Sequence, residues 1–160
     1  MSEEDQEFIE YEEFSKRMEA SYPKMFSHPY GGFACGKGWW PLLEKLCGTI
    51  QRHVDWVNDT RANLLISNPY NHDIPEECPQ VTVAQIKEKF GTLRFYYDGG
   101  DEFVSGAVRL AEELTDHLCE DCGGLGKRRH GGWVRTLCDV HEAERQARIE
   151  EQARKDGLEL

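Results

Sequence analysis

Three cysteines and one histidine near the C-terminal end of the chain have the spacing of a metal site. Two residues separate the members of each pair and fifteen residues separate the pairs, which are Cys119 with Cys122 and Cys138 with His141. Zinc takes four thiolate or imidazole ligands in a tetrahedron at about 2.0–2.3 Å, so a loop and a second element can each supply two of them. The spacing predicts one Zn²⁺ per chain. Because protein atoms fill all four positions, we expect that ion to be structural.

The residues around these ligands predict the elements that hold them. Two glycines after the first pair suit a tight turn, and the segment 126–137 alternates like a short hairpin around two further glycines. A charged segment with helical spacing follows the second pair. This order of turn, hairpin and ligand-bearing helix resembles a treble-clef zinc finger over residues 119–156. The resemblance implies that the four residues of the two pairs are the metal ligands. The alternative, three buried cysteines and an incidental histidine, is disfavoured by the spacing.

The C-terminal segment 142–160 is almost wholly charged and polar. Opposite charges recur in it at helical spacing, at Glu142 and Arg145, Glu144 and Arg148, and Glu151 and Lys155. Each such pair contributes only a few tenths of a kcal/mol, and apolar anchors are few. We therefore predict a solvated helix that extends the finger.

A second stretch, 87–100, combines charged and aromatic side chains in the sequence KEKFGTLRFYYDGG. Apolar residues alternate on both sides of a break near Gly91, which predicts two antiparallel strands. Alternation then places Arg94 and Tyr96 on one face of the second strand, while Lys87 and Lys89 share a face of the first. Like charges placed across a sheet repel one another unless something compensates them.

Two sources of compensation are open for these cations. Glu44, Glu88 or other acids of the chain could neutralise them, in which case the stretch is a packed hairpin. A bound anion could do so instead, with phosphate on the cations and a base stacked on the aromatic rings. The predicted ligand-binding set is Lys87, Lys89, Arg94, Tyr96, Trp39, Trp133 and Arg135.

The rest of the chain predicts an α+β fold, with helices packed on a small antiparallel sheet and the treble-clef-like zinc finger at the C-terminus. Helical periodicity covers 2–22, where Ser2 and Asp5 have capping-box spacing, then 41–58 and about 101–118. Three prolines make 68–80 an irregular loop. We predict two parts, a helical and hairpin core domain, 1–118, and a zinc-finger module, 119–160.

Composition restricts the function classes. The 19 Lys and Arg residues face 30 Asp and Glu residues, a formal net charge of −11, which repels nucleic-acid backbones and excludes general nucleic-acid binding. No apolar run reaches the roughly 20 residues that span a bilayer, and the acidic start is unlike a signal peptide, so a cytoplasmic protein is expected. The dispersed Cys35, Cys47 and Cys78 suit buried thiols in a reducing compartment.

Other catalytic or metal-binding patterns are weak. Cys35, Cys47, His28 and His53 match no compact ligand spacing, and His130 is expected to be a solvated loop residue. Treble clefs also occur in ββα-metal nucleases, but here His141 is used for the structural zinc and no further catalytic histidine follows it. Neither a phosphate-loop motif nor a nucleophile-elbow motif is present in the sequence. The segment CGKGWW contains glycines and a lysine, but it lacks the spacing of a phosphate loop. The sequence favours a protein that is not an enzyme.

Three segments together, CGKGWWPLLEKLC, QIKEKFGTLRFYYDGG and CEDCG with GGWVRTLCDVH, resemble an uncharacterised family of small phage and prophage proteins. The similarity spans about residues 22–141. It implies an accessory protein of host takeover or counter-defence in the host cytoplasm. The predicted function is binding of an anionic, nucleotide-like ligand. The alternative is an interaction module that inhibits a host enzyme as an acidic mimic, and homo-oligomerisation stays open.

Overall fold

A computed structural model describes residues 2–157, except for the side chains of two glutamates at the start of the first helix, and shows an α+β fold. Four helices lie in this range: α1 (Glu3–Ser21), α2 (Trp40–Ser67), α3 (Glu102–Leu114) and α4 (Asp139–Lys155). The strands are β1 (Phe33–Ala34), β2 (Thr82–Lys89), β3 (Thr92–Asp98), β4 (Lys127–Arg129) and β5 (Arg135–Leu137). No helix in residues 2–157 has the length and apolar content needed to cross a membrane.

The first helix begins as its sequence predicts. The Asp5 backbone N–H donates to Ser2 Oγ at 3.2 Å, and Asp5 Oδ2 accepts from the Ser2 backbone N–H at 3.0 Å. This reciprocal capping box satisfies two amide groups that a helix start otherwise leaves unpaired. Most of α1 is exposed, but Phe14 and Met18 are buried, so the helix lies on the core by one narrow face.

The second helix is longer than predicted, because it continues from Asn58 to Ser67. Its buried residues end at Val57, which is why the apolar pattern stops there. The following residues include good helix formers, and the Arg61 guanidinium donates to the Pro75 carbonyl at 2.7 Å. That contact ties the exposed end of α2 to the proline-containing segment, which has no regular structure, as predicted.

The predicted hairpin is confirmed, with β2 and β3 antiparallel around a turn at Phe90 and Gly91. Gly91 has φ +81°, a conformation that favours glycine. On the other side of β2, Phe33 of β1 pairs in parallel with Ile86. The sheet order is β1-β2-β3. The sequence predicts a purely antiparallel sheet, whereas this sheet is mixed. A strand of two residues is too short to show alternation in the sequence.

The free edge of β3 is covered by side chains from the helical segment that follows. The Leu93 N–H donates to Thr115 Oγ1 at 3.0 Å, and the Phe95 N–H donates to Glu112 Oε1 at 2.8 Å. An open strand edge is a site for unwanted strand pairing, and these bonds remove its donors. They also hold α3 and the 3₁₀ turn Thr115–His117 against the sheet.

The core lies between the three N-terminal helices and one face of the sheet. Its fully buried side chains include Trp39, Leu43, Ile50, Val81, Ile86 and Leu93. β4 and β5 form a separate antiparallel pair close to the C-terminus. α4 follows β5 directly, so two small sheets, four α-helices and two short 3₁₀ turns account for the regular structure of residues 2–157.

The C-terminal helix is confirmed, and two of its three predicted ion pairs are formed. Arg145 and Glu142 approach to 3.4 Å, and Lys155 and Glu151 to 2.8 Å. Glu144 lies 3.9 Å from His141 Nε2, and the described residues contain no ion pair between Glu144 and Arg148. Residues 158–160 of the predicted tail lie outside the described residues.

Candidate metal centre and cationic surface

The four predicted zinc ligands converge on one point. Their Sγ and ring-nitrogen atoms all lie within 4.8 Å of one another. His141 Nδ1 is 3.4 Å from Cys119 Sγ and 3.1 Å from Cys138 Sγ. Sulfur and nitrogen ligands of a tetrahedral zinc ion are separated by roughly 3.6 Å, which follows from bond lengths near 2.3 and 2.0 Å. The donor types and distances therefore fit one metal ion, with Nδ1 as the imidazole donor.

The first ligand pair lies in a tight turn. The Gly123 N–H donates to the Cys119 carbonyl at 2.8 Å, and the Cys119 N–H donates to the Gly124 carbonyl at 2.7 Å. Gly123 has φ +74°, and an isolated bridge pairs Leu118 with Leu125 across the turn. These bonds close the loop so that both thiols face the same side, as a short ligand spacing requires.

The second ligand pair starts α4. Cys138 is the N-cap residue of that helix, and His141 lies in its first turn. The His141 backbone N–H donates to the Cys138 sulfur, and this bond is the main reason that the pKa of Cys138 is lowered to about 7. A cysteine binds metal as the thiolate. The start of the helix therefore favours the form of Cys138 that binds metal.

The contacts of its two glycines explain the segment CGKGWW. The Gly38 N–H donates to the Glu120 carbonyl at 2.8 Å, and a Cβ on Gly38 would lie 2.4 Å from the Cys119 carbonyl oxygen. The Gly36 N–H donates to the Glu120 carboxylate at 3.1 Å. The segment before α2 therefore packs backbone to backbone against the ligand-bearing turn.

Trp39 is part of this packing and not of a ligand surface. Its ring is fully buried in the core, and its indole N–H donates to the Leu118 carbonyl at 2.9 Å. The prediction that Trp39 stacks on a ligand is therefore wrong, because no face of the ring reaches solvent. In the sequence, a tryptophan beside glycines gives no sign of which side it faces.

Arg135 likewise has internal partners. Its guanidinium donates to Glu120 Oε2 at 2.9 Å and to Asp121 Oδ1 at 2.6 Å. Glu120 is almost fully buried, so it needs this positive partner. Two carboxylates of the finger already neutralise Arg135, which disfavours its predicted role as a cation for a ligand.

Four other predicted residues do share one face of the β2–β3 hairpin. The register pairs Lys87 with Arg94, and Gln85 with Tyr96, while Ile86 and Phe95 form a buried pair between them. Residues paired directly across strands point to the same side of a sheet. Lys89 follows two residues after Lys87, and the Lys87 Nζ lies 5.3 Å from the centre of the Tyr96 ring. We call Lys87, Lys89, Arg94 and Tyr96 the Lys87 face.

The two acids predicted to neutralise this face are engaged elsewhere. Glu44 pairs with Arg17 at 3.5 Å. The Glu88 carboxylate accepts from the Gly91 N–H at 2.6 Å and from the Trp133 indole N–H at 3.0 Å. Among the side chains that the structure describes, no carboxylate lies within 4.0 Å of a cation of the Lys87 face.

A groove connects this face with the finger. The bond from Trp133 to Glu88 brings the β4–β5 loop against the β2–β3 turn and leaves a cavity of about 400 Å³. We call it the Trp133 groove, and its lining consists of Lys87, Glu88, Lys89, Phe90, Gly132, Trp133 and Val134. The side chains of Trp133 and Phe90 are 72% and 64% exposed, so two aromatic rings with open surface flank two lysines.

The sequence does not predict the roles of two residues in or beside this groove. Phe90 has φ +54°, which is uncommon for a residue with a side chain, and this turn conformation presents its ring to the groove. Arg145 of α4 is buried and donates to the Gly131 carbonyl at 3.2 Å and the Trp133 carbonyl at 2.8 Å. Its helical spacing predicts an exposed ion pair, whereas the structure uses it to hold the loop that carries Trp133.

A larger cleft of about 770 Å³ lies between the first two helices and the metal cluster. Its cations are already paired, because Lys37 binds Glu10 at 2.9 Å and Arg17 binds Glu44. Further acids line it, so the cleft does not suit an anion.

Comparisons of the chain with protein families, curated proteins and solved structures find no match. The geometry and charge of these residues are therefore the basis on which a function is assigned.

Proposed function

We propose that the protein is a zinc-stabilised binding protein, not an enzyme, whose Lys87 face and Trp133 groove take an anionic ligand with a planar ring, such as a nucleotide. Two lysines are common to the face and the groove. A phosphate on the lysines and Arg94, with a ring on Trp133 or Phe90, would use both kinds of side chain.

The observation that carries this proposal is the lack of neutralisation around the cations. Lys87 and Arg94 are directly opposite one another on neighbouring strands, an arrangement that destabilises a sheet. The chain has an excess of 11 negative charges, yet no described carboxylate lies within ion-pair distance of them. An anionic ligand would supply the missing compensation, and a local patch of this kind can attract an anion despite the acidic surroundings.

The metal centre supports the groove in this proposal. The order of tight turn, β4–β5 hairpin and α4 suits a treble-clef zinc finger with Zn²⁺ on Cys119, Cys122, Cys138 and His141. Zinc bound by four protein ligands contributes folding energy and leaves no position for a substrate. Since Arg145 of α4 holds the Trp133 loop, the zinc ion would fix the position of that ring.

The setting that we propose, phage accessory functions in the host cytoplasm, is supported by the sequence resemblance alone. A nuclease is disfavoured, because Arg145, the first cation after His141 on α4, is buried in loop contacts. Nothing in that helix supplies the further histidine or asparagine that a nuclease metal site needs.

A second candidate is a protein-interaction module that offers its acidic side to a basic host enzyme. It is favoured by the cleft beside α1, whose lining includes Glu10, Glu13, Glu44 and Asp121. Such a complex would weaken steeply with salt. Copurification discriminates between the two candidates, because a bound nucleotide gives excess absorbance near 260 nm and a defined mass in native mass spectrometry.

The test of the first candidate uses ATP as a probe, with calorimetric titration of the full chain. The double variant Arg94→Ala/Tyr96→Ala should bind ATP at least tenfold more weakly than the wild type, about 1.4 kcal/mol or more. Lys16→Ala/Tyr70→Ala is a matched control that removes the same kinds of group from exposed positions elsewhere.

Zinc content and melting temperature should be the same in all three proteins. Equal ATP affinity in the wild type and the Arg94 double variant would contradict a nucleotide site on the Lys87 face. Loss of affinity together with unfolding would show that the hairpin is structural.

A further inference from the structure

A second group of metal-binding side chains lies far from the finger in sequence. His53 of α2, Cys78 of the loop before β2, and Asp101 at the start of α3 place one ligand atom each within 4.8 Å of the others. His53 Nε2 and Asp101 Oδ2 are 2.7 Å apart. Sequence reasoning considers His53 only with His28, Cys35 and Cys47. The fold, and not the spacing, brings His53, Cys78 and Asp101 together.

Each of the three residues is held in place by its own contacts. Asn58 holds the backbone of Cys78 from both sides, donating to its carbonyl at 2.9 Å and accepting from its N–H at 3.0 Å. Asp101 Oδ1 accepts from the Val104 N–H at 3.1 Å, which caps α3 and leaves Oδ2 free to face His53. The His53 ring stacks on Phe103 with centroids 4.1 Å apart. Groups fixed in this way lose little freedom when they bind an ion.

A nucleophilic cysteine does not explain this cluster. In a catalytic cysteine site the histidine also forms a hydrogen bond to the thiol, whereas among the described residues His53 Nε2 is bonded to Asp101 and no hydrogen bond joins His53 to Cys78. Burial, and then the nearby Asp101 carboxylate, raise the pKa of Cys78 to about 11. The thiol is therefore protonated near neutral pH, when the thiolate is the reactive form.

We propose that His53, Cys78 and Asp101 bind a second divalent ion of the zinc class, with one coordination position open to solvent. Thiolate and imidazole ligands select zinc-like ions over Mg²⁺ or Ca²⁺. Three protein ligands leave the fourth tetrahedral position to water or another small ligand. The side chains of His53 and Asp101 are 16% and 36% exposed, while Cys78 is buried, so the open position faces outward.

Metal binding at this site requires a simple exchange of protons. The Cys78 thiol releases its proton to solvent and its sulfur forms the metal bond. His53 moves its ring proton from Nε2 to Nδ1, so that the Nε2 lone pair replaces the hydrogen bond to Asp101 with a bond to the ion. Asp101 keeps its Oδ1 bond to Val104, and α3 stays capped throughout.

The test is the zinc content of the full chain after equilibration with Zn²⁺ and removal of loosely bound metal, measured by elemental analysis and native mass spectrometry. The wild type should hold two zinc ions per chain, and Asp101→Asn should hold one. Asparagine caps a helix as well as aspartate does, so this variant should fold while losing the anionic ligand. Asp98→Asn, which removes a neighbouring exposed charge, is the control and should keep both ions.

A wild type with one zinc ion, or an Asp101→Asn variant that keeps two, would overturn the proposal. A second measurement does not depend on any variant. In ¹⁵N-histidine NMR of the wild type, the first equivalent of Zn²⁺ should shift His141 Nδ1 and the second should shift His53 Nε2. If His53 does not respond to excess Zn²⁺, the second site does not exist.

Discussion

At the scale of single residues, Gly38 makes a close backbone-to-backbone contact with the turn that carries Cys119 and Cys122. Its α-carbon faces the backbone of the ligand-bearing turn, where a Cβ would lie 2.4 Å from both the Cys119 carbonyl oxygen and the Gly123 nitrogen. These atoms belong to the backbone of a hydrogen-bonded turn, so they cannot move as a flexible side chain could. The glycine is required by this contact and not by phosphate binding, which its motif superficially suggests.

Gly38→Ala should therefore destabilise the protein by about 1–3 kcal/mol, the usual effect of forcing an extra methyl group into packed structure. Gly106→Ala is the matched control, because no atom lies within 4 Å of a Cβ at this position of α3. It should stabilise the protein by about 0.5–1 kcal/mol, since alanine favours a helix. Urea unfolding of the two variants measures both effects, and equal stabilities would contradict the close packing.

The sequence predicts well that Cys119, Cys122, Cys138 and His141 lie together, because two short pairs of metal-binding residue types are a spacing that chance rarely produces. The sequence predicts less well which charged or aromatic side chains have no partner inside the protein and are available to a ligand. Arg135 and Trp39 are of residue types that often bind ligands, but their partners, Glu120 and the Leu118 carbonyl, lie 15 and 79 residues away along the chain. Only the fold brings such partners together.

At the scale of elements, the periodicity of apolar residues predicts the segments that pack on the core, and it misses the helix and strand segments that do not. The apolar face predicts a helix over 41–58, whereas α2 extends to Ser67 through residues that are not buried. β1 depends on pairing with β2 and has no signal of its own. Alternation predicts that β2 and β3 are antiparallel strands, and the structure confirms that Lys87 and Arg94 share a face.

The end of α4 provides a test at this scale. Beyond Arg154 the described residues 155–157 are exposed, and Lys155 forms only an exposed pair with Glu151. We expect a chain that ends after Arg154 to lose less than about 0.5 kcal/mol, as is usual for exposed ion pairs. Thermal unfolding and sedimentation measure the result. A large drop in melting temperature would instead show that the tail packs or mediates dimer formation.

At the scale of the whole molecule, the division into a core domain, 1–118, and a finger, 119–160, stays a prediction, but the two parts share many contacts. The Glu120 carboxylate and carbonyl accept from the two glycines before α2. Thr136 Oγ1 donates to the Gly91 carbonyl at 2.7 Å, which ties β5 to the β2–β3 turn. Metal binding should therefore influence the hairpin as well as the finger.

Cys122→Ser tests this coupling. Because metal binding contributes directly to folding, loss of one ligand should unfold at least the segment 119–141. The Thr136 contact predicts that amide protection of the β2–β3 turn, at Gly91, falls as well. Hydrogen exchange and zinc content measure these effects, with Cys35→Ala as a control that removes a thiol outside both metal clusters. If the variant keeps its protection and melting temperature while holding no zinc in the finger, the metal does not stabilise this fold. If only the finger loses protection, the two parts fold independently, and the groove between them would have to be formed without help from the metal.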